Sequence, residues 1–366
     1  MGAFQLMGGE YEQVVYNHDA ASGLNAIIAI HSTALGPALG GTRFYPYANE
    51  DDALRDVLRL ARGMTYKAAA AGLDLGGGKA VIIGDPKRIK TEVLLRAYGR
   101  FVESLGGRYI TAEDVGTDTA DMDLVARETS FVTGLPQAHG GGGDPSVMTA
   151  LGIYSGLQAV ALALWQEHEL AGRHVVVQGV GKVGFHLCRL LHQAGARLTV
   201  ADVDVDHVAR AVNEFGADTA EPAKVHAVPC DIFAPCALGA VVNDDTIPEL
   251  KCAAVAGSAN NVLARPEHGW ALREAGILYA PDYVINAGGL INVADELQGY
   301  NPERARSRVR GIFDLLRAVF HRAKQDGIPT SEAADRIAEE RMREIARLRL
   351  LRVHPGLPSS PGERPR

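Results

Sequence analysis

The sequence has no excess of basic charge and no long apolar run, and each shortage excludes a class of protein. Its 366 residues carry 37 Lys and Arg against 44 Asp and Glu, a formal net charge of −7, so no basic face for nucleic acid is predicted. We find no continuous apolar run of the ~18 residues expected of a membrane span. The first ten residues lack the basic and apolar regions of a secretory signal. We therefore expect no nucleic-acid or membrane partner and a cytoplasmic location.

Cysteine is also scarce, and its spacing does not favour a metal site. The four cysteines show neither C-x-x-C nor zinc-like spacing; they are Cys188, Cys230, Cys236 and Cys252. Such thiols are typical of buried free cysteines in a cytosolic protein. The sequence therefore predicts no metal and no disulfide framework.

The first half of the chain has the pattern of a mixed α/β unit. Residues 13–32 alternate apolar and polar and predict a β-hairpin. A helix is expected from the N-cap Asn49 to Gly72, because acidic residues fill its first turn and Leu54, Val57 and Leu58 share one face. A short strand over 80–83, a helix from Thr91 to 106 and a strand over 108–112 follow.

The second half has the order of a doubly wound fold. Four consecutive glycines, 140–143, predict a loop at a domain boundary and a possible hinge. A helix over 146–168 precedes a strand (174–178), a glycine-rich turn, a helix (183–193) and a strand (198–202). Short strands near 232–234, 253–256 and 277–279 and helices over 302–325 and 331–351 complete the prediction.

These elements predict an α/β protein of two domains with a cleft between them. We assign residues 1–145 to a substrate-binding and oligomerisation domain, to which residues 326–354 return. Residues 146–325 form a Rossmann-type, NAD-binding domain. Residues 355–366, rich in Pro, Gly and Ser, are expected to be a disordered tail.

The glycine-rich turn carries a dinucleotide fingerprint, Gly179-Val180-Gly181-Lys182-Val183-Gly184. It follows a Val-rich strand and opens a helix, so bare backbone and the positive helix end meet a pyrophosphate. Asp202 ends the next strand, where its carboxylate accepts from ribose hydroxyls and repels a 2′-phosphate. The pattern favours NAD over NADP. The alternative is a tight turn in a domain that binds no nucleotide.

Two lysines lie near a second glycine run, Gly76–Gly78. Lys79 follows these glycines at the mouth of the predicted strand, where burial and a neighbouring cation lower an ammonium pKa. That suits a general base. The alternative is a lysine that extends into solvent from a loop. Lys67 falls in the last turn of its helix, where a lysine also simply complements the helix dipole.

Other polar residues lie at strand ends. Asp114 closes a strand and is placed to relay a proton near Lys79, although Asp114 or Thr117 serves equally as a helix N-cap. Asn261 and Asn286 follow short strands of the nucleotide half. Their amides fit a nicotinamide carboxamide or a substrate carbonyl, and loop capping is the alternative.

Six segments together resemble the glutamate/leucine/phenylalanine/valine dehydrogenases, in order and at the spacing of that family. They are Ala38–Arg43, Gly76–Lys79, Thr111–Gly116, Gly179–Gly184, Ala256–Asn261 and Tyr279–Gly289. The likeness extends from about residue 10 to about residue 345. Among the members, valine dehydrogenases look most similar, with leucine dehydrogenases next.

The resemblance implies reversible oxidative deamination of an L-amino acid by NAD⁺, giving a 2-oxo acid, ammonium and NADH, in a homo-oligomer. Lys67 then holds the substrate carboxylate with backbone at Gly40 and Gly41. Lys79 activates water, and Asp114 moves protons to and from the amino group. Three further residues match positions that orient nicotinamide or substrate: Thr149, Asn261 and Asn286.

The resemblance also implies an apolar side-chain pocket formed by Leu39, Ala112, Leu290 and Val293. Glutamate-specific relatives carry a lysine at the Leu39 position, so a distal carboxylate is excluded here. Leucine-specific relatives tend to carry valine at the Leu290 position, so the bulkier leucine favours valine as substrate. The alternatives are a phenylalanine or broad-specificity dehydrogenase and a catalytically idle NAD-binding protein.

Overall fold

A five-stranded mixed sheet forms the first half of the chain. The computed structural model describes residues 3–348. The order β1-β2-β4-β3-β5 has antiparallel pairs as far as β4 and parallel pairs beyond it. Its strands are β1 (Gln13–Asp19), β2 (Leu24–Ser32), β3 (Ala38–Tyr45), β4 (Gly76–Ile83) and β5 (Tyr109–Glu113). Its helices are α1 (Ala3–Met7), α2 (Glu50–Ala70), α3 (Pro86–Ile89), α4 (Glu92–Glu103) and α5 (Thr119–Val125).

A six-stranded parallel sheet forms the second half, in the order β11-β10-β9-β6-β7-β8. Its strands are β6 (His174–Gln178), β7 (Arg197–Ala201), β8 (Asp218–Thr219), β9 (Ile232–Pro235), β10 (Ala254–Val255) and β11 (Leu278–Tyr279). Nine helices accompany it in the described residues. They are α6 (Ser146–Trp165), α7 (Lys182–Gln193), α8 (Val205–Phe215), α9 (His268–Glu274), α10 (Asp282–Ile285), α11 (Gly288–Glu296), α12 (Pro302–Arg310), α13 (Ile312–Asp326) and α14 (Thr330–Leu348). The α/β, doubly wound prediction is confirmed.

Helix α6 connects the two halves. By length and composition alone it is apolar enough to cross a membrane, and 56% of its most apolar window is buried in the protein. It packs against α7, α11, α12 and α13, which makes it a core helix. The helix was predicted over 146–168, but scattered Ser, Thr and Gln interrupt its apolar residues, so it did not count as a continuous apolar run.

The structure differs from the predicted elements in several places. The strand expected over 80–83 begins at Gly76, and the strand β3 that contains Gly40 and Gly41 was not predicted, because glycine is unfavourable in strands. The helix expected over 302–325 is two helices, α12 and α13, which meet at Gly311. The expected helix 331–351 is α14, and its last three residues lie outside the described part, as does the predicted tail.

Candidate active site

Close packing explains the three glycines before Lys79. A Cβ at Gly77 would lie 2.0 Å from the Thr65 backbone nitrogen of α2, and one at Gly76 would lie 2.0 Å from the Ser32 carbonyl oxygen. These glycines thus let α2 and β2 approach β4. The sequence suggested that Lys79 lies at the mouth of the strand. In the structure it lies within β4 and is only 5% exposed.

Lys79 and Asp114 form an ion pair. The Lys79 Nζ lies 3.1 Å from Asp114 Oδ2, and Arg43 Nε donates to the same oxygen at 2.9 Å. Burial lowers the pKa of Lys79, and Arg43 adds to that effect against the attraction of Asp114. Burial alone would raise the pKa of Asp114, but Lys79 and Arg43 outweigh it and the net pKa is lowered. The pair thus combines a lysine that loses its proton more easily than usual with an aspartate that stays ionised.

Asp114 is not the N-cap of the next helix. That cap is Asp118, whose side chain accepts from the Asp121 N–H in a capping box. Thr117 instead donates its hydroxyl to the Thr42 carbonyl at 2.9 Å and accepts from the Asp114 N–H at 2.9 Å. The capping alternative is therefore wrong, and the Asp114 side chain points to the two cations.

Lys67 lies in the last turn of α2, as expected from the sequence. Burial, against the attraction of the Asp282 carboxylate and with a further contribution from the Lys79 ammonium, lowers its pKa to about 8. No ion pair within residues 3–348 includes Lys67. Its ammonium is thus available to an anionic ligand beside the Lys79–Asp114 pair.

Gly40 and Gly41 are also required by packing. A Cβ at Gly40 would lie 1.8 Å from the Gly78 carbonyl oxygen, and one at Gly41 would lie 2.4 Å from that of Glu113. The Tyr109 hydroxyl donates to the Gly40 carbonyl at 2.5 Å. β3 therefore lies tightly between β4 and β5, and brings bare backbone next to Lys79 and Asp114.

The fingerprint turn fits a dinucleotide. Gly179 has φ +92°, and a Cβ at Gly184 would lie 2.0 Å from the Gly179 carbonyl oxygen, so the turn packs closely on α7. α7 begins at Lys182 without a side-chain N-cap, which leaves its first N–H groups available to a phosphate. Asp202 follows β7, and its carboxylate accepts from the Val180 N–H at 2.7 Å. The turn and the acidic residue are thus joined by a hydrogen bond, and Val183 lies in the first turn of α7.

Asn286, which the sequence placed at the nicotinamide end, has an unsatisfied acceptor. The Asn286 amide donates to the Ser258 carbonyl at 3.1 Å and to Asn260 Oδ1 at 2.8 Å. Its own Oδ1 is buried and has no hydrogen-bond partner among the described residues. An unpaired buried acceptor is costly, and the N–H₂ of a nicotinamide carboxamide would satisfy it.

Two other residues expected at this end lie on different elements. Thr149 lies on α6, and a Cβ at Gly289 would lie 2.8 Å from its Oγ1. Asn261 is exposed and has φ +53°, a left-handed conformation that is uncommon outside glycine.

Three of the four residues expected in the side-chain pocket share one apolar cluster. Leu39, Leu290 and Val293 belong to it and are at most 8% exposed. Ala112 lies on β5 and pairs with Gly41, two residues after Ile110 of the same cluster. Residues of both sheets and of α11 thus belong to one apolar cluster.

Sequence reasoning missed Arg43, Glu113 and Asp282. Arg43 bridges Asp114 and Asp56, at 2.9 and 2.8 Å. Burial and the neighbouring Asp144 raise the pKa of Glu113 to about 7. The only available signal was their presence in segments that carry the family resemblance, because none of the three has a local motif of its own.

Comparison with known proteins identifies the relatives of this chain. Residues 11–131 match the family described as Glu/Leu/Phe/Val dehydrogenase, dimerisation domain, and residues 201–349 match the Glutamate/Leucine/Phenylalanine/Valine dehydrogenase family. Leucine dehydrogenase of Geobacillus stearothermophilus is 58% identical over 93% of both chains. Valine dehydrogenase of Streptomyces coelicolor is 57% identical over 92% of this chain and 93% of its own.

A solved structure extends the comparison to the fold. The crystal structure of L-tryptophan dehydrogenase from Nostoc punctiforme aligns with a TM-score of 0.83 and 47% identity, over 94% of this chain and 99% of that one. The two-sheet architecture is therefore shared with this L-tryptophan dehydrogenase.

Proposed function

The chain belongs to the glutamate/leucine/phenylalanine/valine dehydrogenase family, and from this membership we propose that it deaminates an aliphatic L-amino acid with NAD⁺, valine best and leucine next. The products are the 2-oxo acid, ammonium and NADH, and the reaction is reversible. The single observation that carries the proposal is the buried Lys79–Asp114 pair at 3.1 Å beside Lys67. A catalytically idle nucleotide-binding protein has no use for this arrangement.

The three charged residues of the site have different roles in the proposed reaction. Lys67 holds the substrate carboxylate as an ammonium, with the backbone at Gly40 and Gly41 beside it. Lys79, with its lowered pKa, accepts a proton from water near neutral pH and directs that water to the substrate carbon. Asp114 carries the proton to and from the amino nitrogen.

NAD is the cofactor of this proposal, and when bound it takes up the hydride from the substrate Cα. The turn Gly179–Gly184 and the α7 N-terminus hold its pyrophosphate. Asp202 would accept from its ribose, the Asn286 Oδ1 would accept from its carboxamide, and Thr149 and Asn261 would orient nicotinamide or substrate. Closing the cleft between the two sheets excludes bulk water from the imine carbon until the positioned water attacks.

The substrate side chain is proposed to contact Leu39, Ala112, Leu290 and Val293. A distal carboxylate would be buried there without a partner, at a cost of several kcal/mol. Leucine and valine dehydrogenases are equally similar to this chain, so the preference for valine depends on the bulk of Leu290. We also propose that the chain forms a homo-oligomer through its first sheet, which lies within the match to the dimerisation domain.

One assay tests the proposal: NADH formation at alkaline pH with a panel of L-amino acids. We expect valine and other short aliphatic substrates to react best and glutamate not to react. With NADP⁺ in place of NAD⁺, kcat/KM should fall at least about tenfold, or 1.4 kcal/mol. Glutamate as the best substrate would contradict the proposal, and equal rates with both cofactors would contradict the role of Asp202.

A further inference from the structure

Asp282, at the start of α10, holds the loop that presents Asn261. Its Oδ2 accepts from the Val262 N–H at 2.8 Å, and its Oδ1 accepts from the Tyr283 N–H at 2.6 Å. Because Val262 follows Asn261, whose backbone is left-handed, this carboxylate fixes an otherwise unfavourable conformation. Asp282 thus has a defined position and orientation before any substrate binds.

A single helix fixes both α10 and α2, which pack against each other. Tyr66, the residue before the substrate lysine, donates to Glu339 at 2.8 Å, and Tyr283 donates to Asp335 at 2.7 Å. The two acceptors lie four residues apart on α14, or about 6 Å along the helix. The residue after Asp282 and the residue before Lys67 are therefore both hydrogen-bonded to adjacent turns of α14.

Three charged groups face Lys67 from the elements around it: Asp282 of α10, Lys79 of β4 and Asp114 after β5. Asp114 already pairs with Lys79 and Arg43. Asp282 is therefore the carboxylate that is not already committed to another cation.

Lys67 is the cation that faces the Asp282 carboxylate among the groups around it. Asp335, Tyr279 and Tyr283 face it in addition to Lys67, and the Asp335 carboxyl, whose pKa burial raises, accepts from the Tyr283 hydroxyl. Burial raises the pKa of both tyrosines well above the usual range, so they stay neutral. Burial also raises the pKa of Asp282 itself, against its hydrogen bonds to Val262 and Tyr283. Its two accepted N–H bonds and the ammonium favour its ionised form.

We propose that Asp282 is a positioning residue for recognition of the substrate carboxylate, acting from the nucleotide-binding half on Lys67 of the other half. It keeps Lys67 ionised and aimed at the site, and it holds Asn261 beside the same substrate. The inference rests on the proposed deamination. It assigns a role in substrate binding to a residue that makes no contact with the reacting atoms.

The test is Asp282→Asn in the full-length enzyme, with L-valine and NAD⁺ from neutral to alkaline pH. Without the carboxylate, Lys67 loses its proton at lower pH, so the rise of KM for valine should begin at lower pH than in the wild type. About one pH unit above the wild-type onset, KM should be at least about tenfold higher, or 1.4 kcal/mol. kcat should change less than about threefold, because the Lys79–Asp114 pair is intact.

The control is Glu332→Gln, which neutralises a nearby carboxylate that pairs with Arg336 at 2.7 Å. This variant should keep the wild-type pH profile. Asp282→Ser is a second neutral variant that retains an oxygen for the Val262 N–H. Thermal unfolding shows whether each variant folds, and failure of both neutral variants to fold would assign Asp282 a structural role and overturn the proposal.

The two levels of inference fail in different ways. A wild-type enzyme that makes no NADH from any aliphatic amino acid would refute the proposed function. An active wild type whose Asp282→Asn variant keeps the wild-type KM and pH profile would refute only the role of Asp282. An equal shift in Glu332→Gln would also refute it, because the loss of any nearby negative charge would then have the same effect.

Discussion

At the residue scale, the chemistry of this site depends on one buried amine and the charges that flank it. Lys79 is held between a carboxylate that favours its ammonium form and an arginine that disfavours it. Burial decides the balance in favour of a lowered pKa. The base is thus set by three side chains from three different strands or strand ends.

Replacing Lys79 by alanine should remove most of the turnover and leave NADH binding intact. General-base catalysis contributes about 10²–10⁴-fold to a rate. Lys79 lies on β4 and not in the fingerprint turn that is proposed to bind NADH. kcat with L-valine and the dissociation constant of NADH from fluorescence titration are the measurements. Lys87→Ala, an exposed lysine of α3, is the control. A Lys79→Ala enzyme with near wild-type kcat would show that another group is the base.

Replacing Arg43 by methionine should move the acidic limb of the kcat/KM profile to higher pH. Deamination needs Lys79 unprotonated, and Arg43 lowers its pKa; without the guanidinium that pKa rises, so activity appears only at higher pH. Arg59→Met removes a cation that pairs with Asp56 at 2.8 Å but does not contact Asp114. The acidic limb of the Arg59→Met profile should not move. A shift of the Arg43→Met limb to lower pH would contradict the prediction that Arg43 lowers the pKa of Lys79.

The sequence predicted Lys79 and Asp114 because each stands at a strand with a recognisable neighbour, a glycine run or a strand end. It did not predict Arg43 or Asp282, whose partners are distant in the chain. Arg43 meets Asp114 across 71 residues, and no local pattern encodes such a pair.

At the scale of elements, the contact between α2 and β4 positions both lysines. The glycines before Lys79 serve close packing and not unusual backbone angles. None of the three has positive φ; the reason is the space taken by Thr65, Ser32 and the Tyr109 ring. Close approach between elements is a property of the packed fold, so the sequence alone could indicate that glycine mattered but not why.

Replacing Gly77 by alanine should destabilise the protein by about 3 kcal/mol, because the new Cβ overpacks a backbone contact. The shift of α2 should also raise KM for the amino acid through Lys67. Gly63→Ala is the matched control on α2, since a Cβ there meets no atom within 4 Å and alanine favours a helix by up to ~1 kcal/mol. Thermal unfolding of both variants decides, and equal melting temperatures would contradict the packing argument.

At the scale of the whole molecule, the pocket proposed for the substrate side chain belongs to neither half alone. Leu39 and Ala112 come from the first sheet, whereas Leu290 and Val293 come from α11. The order of helices and strands predicted the two halves, because periodicity and glycine spacing are local. How α11 and β5 face each other is not local, and the resemblance alone supplied that grouping.

Replacing Leu290 by valine should shift preference from valine towards leucine. One methylene in an apolar pocket is worth about 1–3 kcal/mol, so the ratio of kcat/KM values should change about tenfold. Leu297→Val, 40% exposed beyond α11, should leave the ratio unchanged. An unchanged ratio in Leu290→Val would move the specificity to Ala112 or to the angle between the two halves.

The attachment of α14 to α2 also has a consequence during synthesis. Tyr66 and Glu339 are 273 residues apart in the chain, and Arg341 donates to the Leu73 carbonyl across 268 residues. A ribosome adds about 5–20 residues per second, so the first sheet waits tens of seconds, already outside the exit tunnel, for the helix that completes it. During that interval the part of α2 that packs on α14 is uncovered, whereas its apolar face already packs on β2 and β4. The nascent chain is therefore open to misassembly at this surface until α14 has been made, and the contacts that α14 makes beside Lys67 form only then.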